Sequence, residues 1–171
     1  GIWQLWARFF RKRAGLGVID ESYEPVRYTQ THRHCDILIV GGGPAGLASS
    51  LEAASTGADV LLVDENVSLG GALNYGEFGD PSGPEASRRA ELISAVNASK
   101  RIETLTGAIC NGWFADNWIP VIQDHALIKV RARKVIFCTG SLEQPAIFRN
   151  NDLPGIFLSS AVLRLMHLYG V

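Results

Sequence analysis

The stretch Asp36–Glu65, DILIVGGGPAGLASSLEAASTGADVLLVDE, reads as a complete strand–turn–helix–strand unit. Asp36 to Val40 supplies the apolar run of a buried parallel strand. Gly41, Gly43 and Gly46 fit G-x-G-x-x-G, and Pro44 suits a first helical turn, where a missing N–H is no loss. Leu47, Leu51 and Ala54 recur at helical spacing, Gly57 closes the helix, and Val60 to Val63 forms the next strand.

Each glycine has a physical task. The first permits a tight turn, the second lets backbone approach a pyrophosphate, and the third lets helix and strand pack closely. The free N–H groups and the positive end of the helix dipole then face the phosphates. Asp64 lies 18 residues after Gly46, where an acid accepts hydrogen bonds from a ribose 2′-hydroxyl. Glu65 takes that place if the strand ends one residue later. A glycine turn that merely packs is the competing explanation. The glycine pattern alone is weak, but strand, helix, second strand and acid in register favour a dinucleotide site.

Composition narrows the classes. A chain of 171 residues with a 47% hydrophobic fraction suits one domain with appendages and a real core. A net charge of −1 argues against a nucleic-acid surface. No run of about 18 apolar residues is present, so no membrane span is expected. Cys35, Cys110 and Cys138 include no C-x-x-C pair and read as structural thiols of a reducing, cytoplasmic setting. A redox dithiol is thereby disfavoured.

Outward from the central unit, residues 1–17 place Trp3, Trp6, Phe9 and Phe10 on one helical face and Arg8, Arg11, Lys12 and Arg13 opposite. Such basic amphipathic helices can lie on membranes. Packing against another part of a larger protein is the favoured reading. Residues 18–34 contain Pro25 and read as an extended connector, with His32 and His34 as surface histidines that complete no metal site. Beyond Glu65, Gly70-Gly71 is a pair able to pass close to a bound cofactor. Asn74 to Gly83, with Gly76, Gly79 and Pro81, is a loop. Pro84 to Ala98 is a helix capped by Ser82, with Glu85 able to pair with Arg88 or Arg89, two residues read as solvated. Leu92, Ile93 and Val96 form its buried face.

Arg101 to Thr106 is a strand, and residues 107–131 form an antiparallel meander turning at Asp116-Asn117 and Asp124-His125. Trp113, Phe114 and Trp118 suit core or interface positions better than a stacking surface for adenine or flavin. Lys134 to Cys138 is another buried parallel strand whose end, Thr139-Gly140, returns to the cofactor mouth. Ser159 or Ser160 caps a last helix that ends at Gly170.

Together, GGGPAGL, the acid of LLVDE, the following GG, the meander and a strand ending in CTG resemble the two-dinucleotide-binding-domain flavoproteins. RKRAGLG before HCDILIVGGGPAGL, and TGSLEQPAIFRNNDLPGIFLSSAVLRLMHLYGV, narrow the likeness. They resemble the α subunit of heterotetrameric sarcosine oxidase, with its relatives among opine oxidases, amino-acid dehydrogenases and hydrogen cyanide synthase subunits. The resemblance covers nearly the whole chain, FRNNDLPGIF being its most specific piece.

The resemblance implies an α/β, Rossmann-like FAD/NAD(P)-binding domain over residues 35–171, with a parallel sheet and a three-stranded antiparallel β-meander. Residues 1–34 precede it as amphipathic helix and connector, and the whole is the first part of a longer chain. It further implies a heteromeric flavoprotein complex that oxidises a small secondary amine or N-methyl amino acid, with FMN at an interface between subunits. By motif, the cofactor contacts are Gly41, Gly43, Pro44, Ala45, Gly46, Asp64, Glu65, Gly70, Gly71, Thr139 and Gly140. FAD and NAD remain equal candidates for that site. The alternatives to an oxidoreductase portion of sarcosine oxidase type are a non-catalytic NAD-binding assembly module and an FAD-dependent NAD(P)H oxidoreductase. Ser141, Glu143 and His125 are isolated polar residues without visible partners, the catalytic group is unassigned, and no G-x-S-x-G elbow exists.

Overall fold

Continuous apolar runs let the central strands bury both faces. The computed structural model describes residues 2–15, 22, 24, 27–75 and 83–171. It contains α1 (Ile2–Arg13), β1 (Thr29–Val40), α2 (Pro44–Ser55), β2 (Val60–Val63), α3 (Pro84–Ala98), β3 (Ile102–Leu105), β4 (Ala108–Cys110), β5 (Trp118–Gln123), β6 (Ala126–Phe137) and α4 (Ser159–Tyr169). One six-stranded sheet runs β3-β2-β1-β6-β5-β4. The first four strands in that order are mutually parallel, and β6-β5-β4 are antiparallel, as the expected α/β architecture with a meander requires.

Successive residues of β1 and β2 point to opposite faces. Ile39, Val60 and Leu62 pack beneath α2 and α3 with Leu47, Ala53, Leu69, Leu92 and Val96. Leu38, Leu61 and Val63 pack on the other side with Ala108, Ile119, Val121, Ile128, Val130 and Ala132. The meander therefore curls over one face of the parallel strands while the helices cover the other. The edge is tied down by Ala108 N–H donating to the Asp64 carbonyl (2.9 Å) and by Gln123 Nε2 donating to the Thr106 carbonyl (2.8 Å).

Three expectations change. The first strand starts at Thr29, well before Asp36, because β6 offers a parallel partner from Thr29↔Ala126 to Val40↔Phe137. Its early residues keep exposed side chains, so backbone pairing rather than burial holds them. Lys134 to Cys138 is not a separate buried strand: β6 runs on unbroken from the meander, and its last residues are only partly covered. Of the core or interface positions expected for Trp113 and Phe114, the core is excluded, both side chains being exposed. Phe114 stacks obliquely on Trp118 at 5.0 Å, and Trp113 meets Phe137 edge-on at 5.7 Å.

The meander turns fall where expected, with left-handed backbone at Asp116 (φ 57°), Asn117 (φ 49°) and Asp124 (φ 49°), residue types that tolerate it. α1 leaves Trp3, Trp6, Phe9 and Phe10 exposed, Trp6 and Phe10 stacking at 5.9 Å. Pro25, Gly76, Gly79, Pro81, Ser82 and the Glu85 side chain lie outside the described residues. Gly83 is the N-cap residue of α3. No helix among the described residues is long and apolar enough to cross a membrane. Leu62 of β2 is fully buried in the cluster beneath α2 and α3. Leu62→Ala is expected to lower stability by about 2–5 kcal/mol, read from urea unfolding.

Candidate dinucleotide site

The parallel strands end at a glycine turn. Gly41, at φ 107°, lies outside the ordinary backbone regions, and a Cβ there would strike the Cys138 carbonyl. A Cβ on Gly46 would overlap the Gly41 carbonyl. Both glycines are therefore demanded by packing. Gly43 differs, because a Cβ there meets only Gly71 Cα at 3.8 Å. Its missing side chain is not required by the fold and leaves space in front of the helix.

That helix is α2. Pro44 stands in its first turn, Gly43 is its N-cap, and no side chain caps it. Leu47 N–H bonds the Gly43 carbonyl at 2.9 Å. The first-turn N–H groups of Ala45 and Gly46 thus keep their donors, at the positive end of the helix dipole. Within α2, Ser50 Oγ donates back to the Gly46 carbonyl at 2.7 Å, which satisfies a fully buried hydroxyl.

Asp64 closes β2 and is buried. Its Oδ2 accepts the Gly42 N–H. Its Oδ1 accepts both Asn66 N–H (2.7 Å) and Asn66 Nδ2 (2.9 Å). The carboxylate accordingly organises the turn from beneath while standing at the end of the strand. Glu65 is exposed beside it. Gly42 and Asn66 were not among the expected site residues. A third consecutive glycine, and an Asn two residues after the acid, are the signals that point to them.

Gly70-Gly71 forms the opposite wall. Gly70 N–H donates to the Gly42 carbonyl at 2.8 Å, and a Cβ on Gly71 would stand 2.7 Å from Gly43 Cα. A short 3-10 turn, Gly71–Asn74, follows. Arg89, expected in solvent, instead reaches this turn, where its Nη1 donates to Asn74 Oδ1 at 2.8 Å. Arg88 is the solvated one, paired with Glu91 at 2.9 Å. Helical phase separates them: adjacent residues point about 100° apart, so only one faces the turn.

The end of β6 completes the arrangement. Cys138 N–H donates to the Val40 carbonyl at 2.7 Å, which sets Thr139 beside Gly41. Gly140 has φ 76° and open space around it. Gly41, Gly43, Pro44, Ala45, Gly46, Asp64, Gly70, Gly71 and Thr139 therefore meet at one end of the sheet, with Glu65 and Gly140 on its exposed margin. Midway along β1, a shallow depression of about 390 Å³ is lined by His34, Cys35, Asp36, Asp59, Arg131 and Arg133. Its charges are matched locally, Arg133 with Asp36 at 3.3 Å and Arg101 with Asp59 at 2.8 Å.

The isolated polar residues do not form a reactive cluster. Glu143 accepts Ser159 Oγ and Ser160 N–H, both at 2.8 Å, and so caps α4 across sequence, a task expected of Ser159 or Ser160. His125 is exposed, and its carbonyl accepts Thr29 N–H at 2.9 Å. Burial raises the Cys35 thiol to about 11, with neighbouring Asp36 adding to it, and raises the Cys110 thiol to about 11. Both are inert as thiols. No group of His, Cys, Asp or Glu among the described residues can hold a metal ion.

An uncapped helix N-terminus set on close-packed glycines, at the carboxyl end of a parallel sheet, defines a nucleotide-binding α/β protein. Residues 36–135, more than half of the chain, match the family described as FAD dependent oxidoreductase, and the chain belongs to that family. It is 34% identical over 173 residues to the alpha subunit of sarcosine oxidase from Corynebacterium sp. (strain P-1), a match covering 92% of this chain and 18% of that protein. Identity to an opine oxidase subunit of Agrobacterium tumefaciens (strain Ach5) is 29% over 140 residues, 74% of this chain and 28% of that one. L-proline dehydrogenase from P. horikoshii superposes with a TM-score of 0.69 at 25% identity, covering 88% of this chain and 31% of that structure. The chain spans 18–19% of the length of the sarcosine oxidase subunits it matches.

The two kinds of glycine separate experimentally. Gly46→Ala is expected to prevent native folding, seen as loss of cooperative thermal unfolding. Gly43→Val is expected to fold and to lose dinucleotide binding, measured by cofactor occupancy after purification. Unchanged occupancy in Gly43→Val refutes the site assignment.

Acid acts elsewhere. The Ser160 and Ser159 hydrogen bonds hold Glu143 down at about 2, below its ordinary 4.5. The cap's contribution is therefore complete above about 4.5 and lost as pH falls through about 2. The Ser160 amide NMR shift should titrate near the lower value, and Glu143→Gln should abolish that titration.

Proposed function

We propose that this chain is the dinucleotide-binding portion of a flavin-dependent oxidoreductase built from several subunits, one that oxidises a secondary amine of the N-methyl amino acid type. The observation that carries the reading is the ligand-facing gap at Gly43 in front of the uncapped α2, within a chain aligned along 92% of its length with the alpha subunit of a sarcosine oxidase. The residues fit a dinucleotide. Ala45 and Gly46 would present N–H groups to the diphosphate, Gly43 would admit it, and Asp64 or Glu65 would accept from a ribose hydroxyl. Thr139 and Gly140 would border the far side.

A bound flavin supplies the two-electron chemistry, and the protein supplies orientation and electrostatics. The residues described here bind and orient. Among them Glu143 is committed to capping α4, and the Cys35 and Cys110 thiols stay protonated. That distribution supports a second reading, in which the site holds NAD as an assembly element and turnover belongs to other parts of the complex. An FAD-dependent NAD(P)H oxidoreductase is the third.

The test is the absorption spectrum of the native polypeptide carrying this sequence, purified with its partners, followed by chromatography of whatever it releases on denaturation. Flavin bands that bleach anaerobically on adding sarcosine support the amine oxidase. Bleaching with NAD(P)H alone supports the third reading. A preparation whose flavin lies in a different polypeptide, while this one releases NAD, supports the assembly module. Release of no dinucleotide overturns all three.

A further inference from the structure

Arg89 is the one residue near the glycine turn whose observed environment departs from its expected solvated role. Its side chain lies across Gly70, and a Cβ there would stand 3.0 Å from Arg89 Cδ, 3.1 Å from Cγ and 2.7 Å from Asn74 Oδ1. The guanidinium bonds Asn74 at 2.8 Å through Nη1. Its Nε is buried and has no hydrogen-bond partner among the described residues. No carboxylate among those residues forms an ion pair with it, in contrast to Arg88. Gly70, beneath this side chain, is itself bonded to Gly42 at 2.8 Å, and Gly71 abuts Gly43. Asn74, held by Arg89, lies one residue from Tyr75, whose hydroxyl accepts from Arg164 of α4 at 2.8 Å.

We infer that Arg89 is a positioning residue for the diphosphate: through Gly70 and Asn74 it clamps the second glycine pair against the first, and it sets a positive charge behind the phosphate cradle. The inference rests on the dinucleotide reading of the site. Arg89 is half-buried, its Nη1 committed to Asn74 and its stem packed over Gly70. An anion arriving at Gly43 meets a wall held by that charge, and a lysine would lack the guanidinium donor that reaches Asn74. The clamp acts on the wall facing Gly43, so its influence falls on the phosphates of a ligand rather than on a nucleoside.

The experiment uses the native polypeptide with its partners, stripped of cofactor, and titrates ADP and adenosine separately by calorimetry. Arg89→Ala and Asn74→Ala should each weaken ADP by about tenfold, the size of one charge-assisted hydrogen bond, and leave adenosine unchanged. The double variant should be no worse than Arg89→Ala, because the two residues act through one contact. Arg88→Ala, on the solvated side of α3, should bind ADP normally. Asn74→Ala keeps the test decisive if Arg89→Ala fails to fold, since it removes the acceptor and leaves the arginine packed. Unchanged ADP affinity in Asn74→Ala, or equal losses for ADP and adenosine, overturns the inference while the dinucleotide reading stands. If the unmodified protein binds neither ADP, FAD nor NAD, the dinucleotide reading fails and the inference falls with it.

Discussion

Three backbone segments converge at Gly41 with no side chain between them, and the rest of the molecule is arranged to allow this. The carbonyl of Gly41 occupies the space where Gly46 would carry a methyl group, and Cys138 presses on Gly41 from the β6 side. Contact this close fixes the angle at which α2 leaves the sheet. It also brings the end of β6 beside the end of β1 and orients the uncapped first turn of the helix. Packing density, which makes interiors intolerant of even one added methylene, here acts on backbone alone. The site follows from that constraint: a helix docked this tightly holds its N–H groups in one place before any ligand arrives.

Around this junction the polar groups divide their labour. Asp64 holds the turn from below through Gly42 and Asn66. The Gly70–Asn74 segment holds it from the side, secured by Arg89. The donors of Ala45 and Gly46 are thereby reserved, since the acceptors nearby are already occupied with the scaffold. Such preorganisation lowers the ordering that binding would otherwise require.

Much of this was legible in the primary structure because it is local. The continuous apolar runs of Ile37–Val40 and Val60–Val63, the glycine spacing and the helical recurrence of Leu47 and Leu51 each declare themselves within a few positions. The turns at Asp116-Asn117 and Asp124 were equally visible, since those residue types accept left-handed backbone. The parts that escaped depend on partners distant in sequence. Polar Thr29 to His34 carry no strand pattern, and become a strand only because β6 lies alongside. β6 itself joins two motifs that look separate. Arg89 looks like any surface arginine until Gly70, nineteen residues earlier, opens a place for its stem. Glu143 caps α4 from sixteen positions away, beyond any local capping signature.

The pairing of β1 with β6 has a further consequence for how the protein comes into being. Each rung of that ladder joins residues about 100 positions apart, among the slowest kinds of contact for a chain to find. The glycine turn is an early product of the ribosome, yet the strand that flanks it emerges only after residue 137. Until then β1 presents an open edge, the feature that invites association with other chains. Closure of the cradle and burial of that edge are therefore one event.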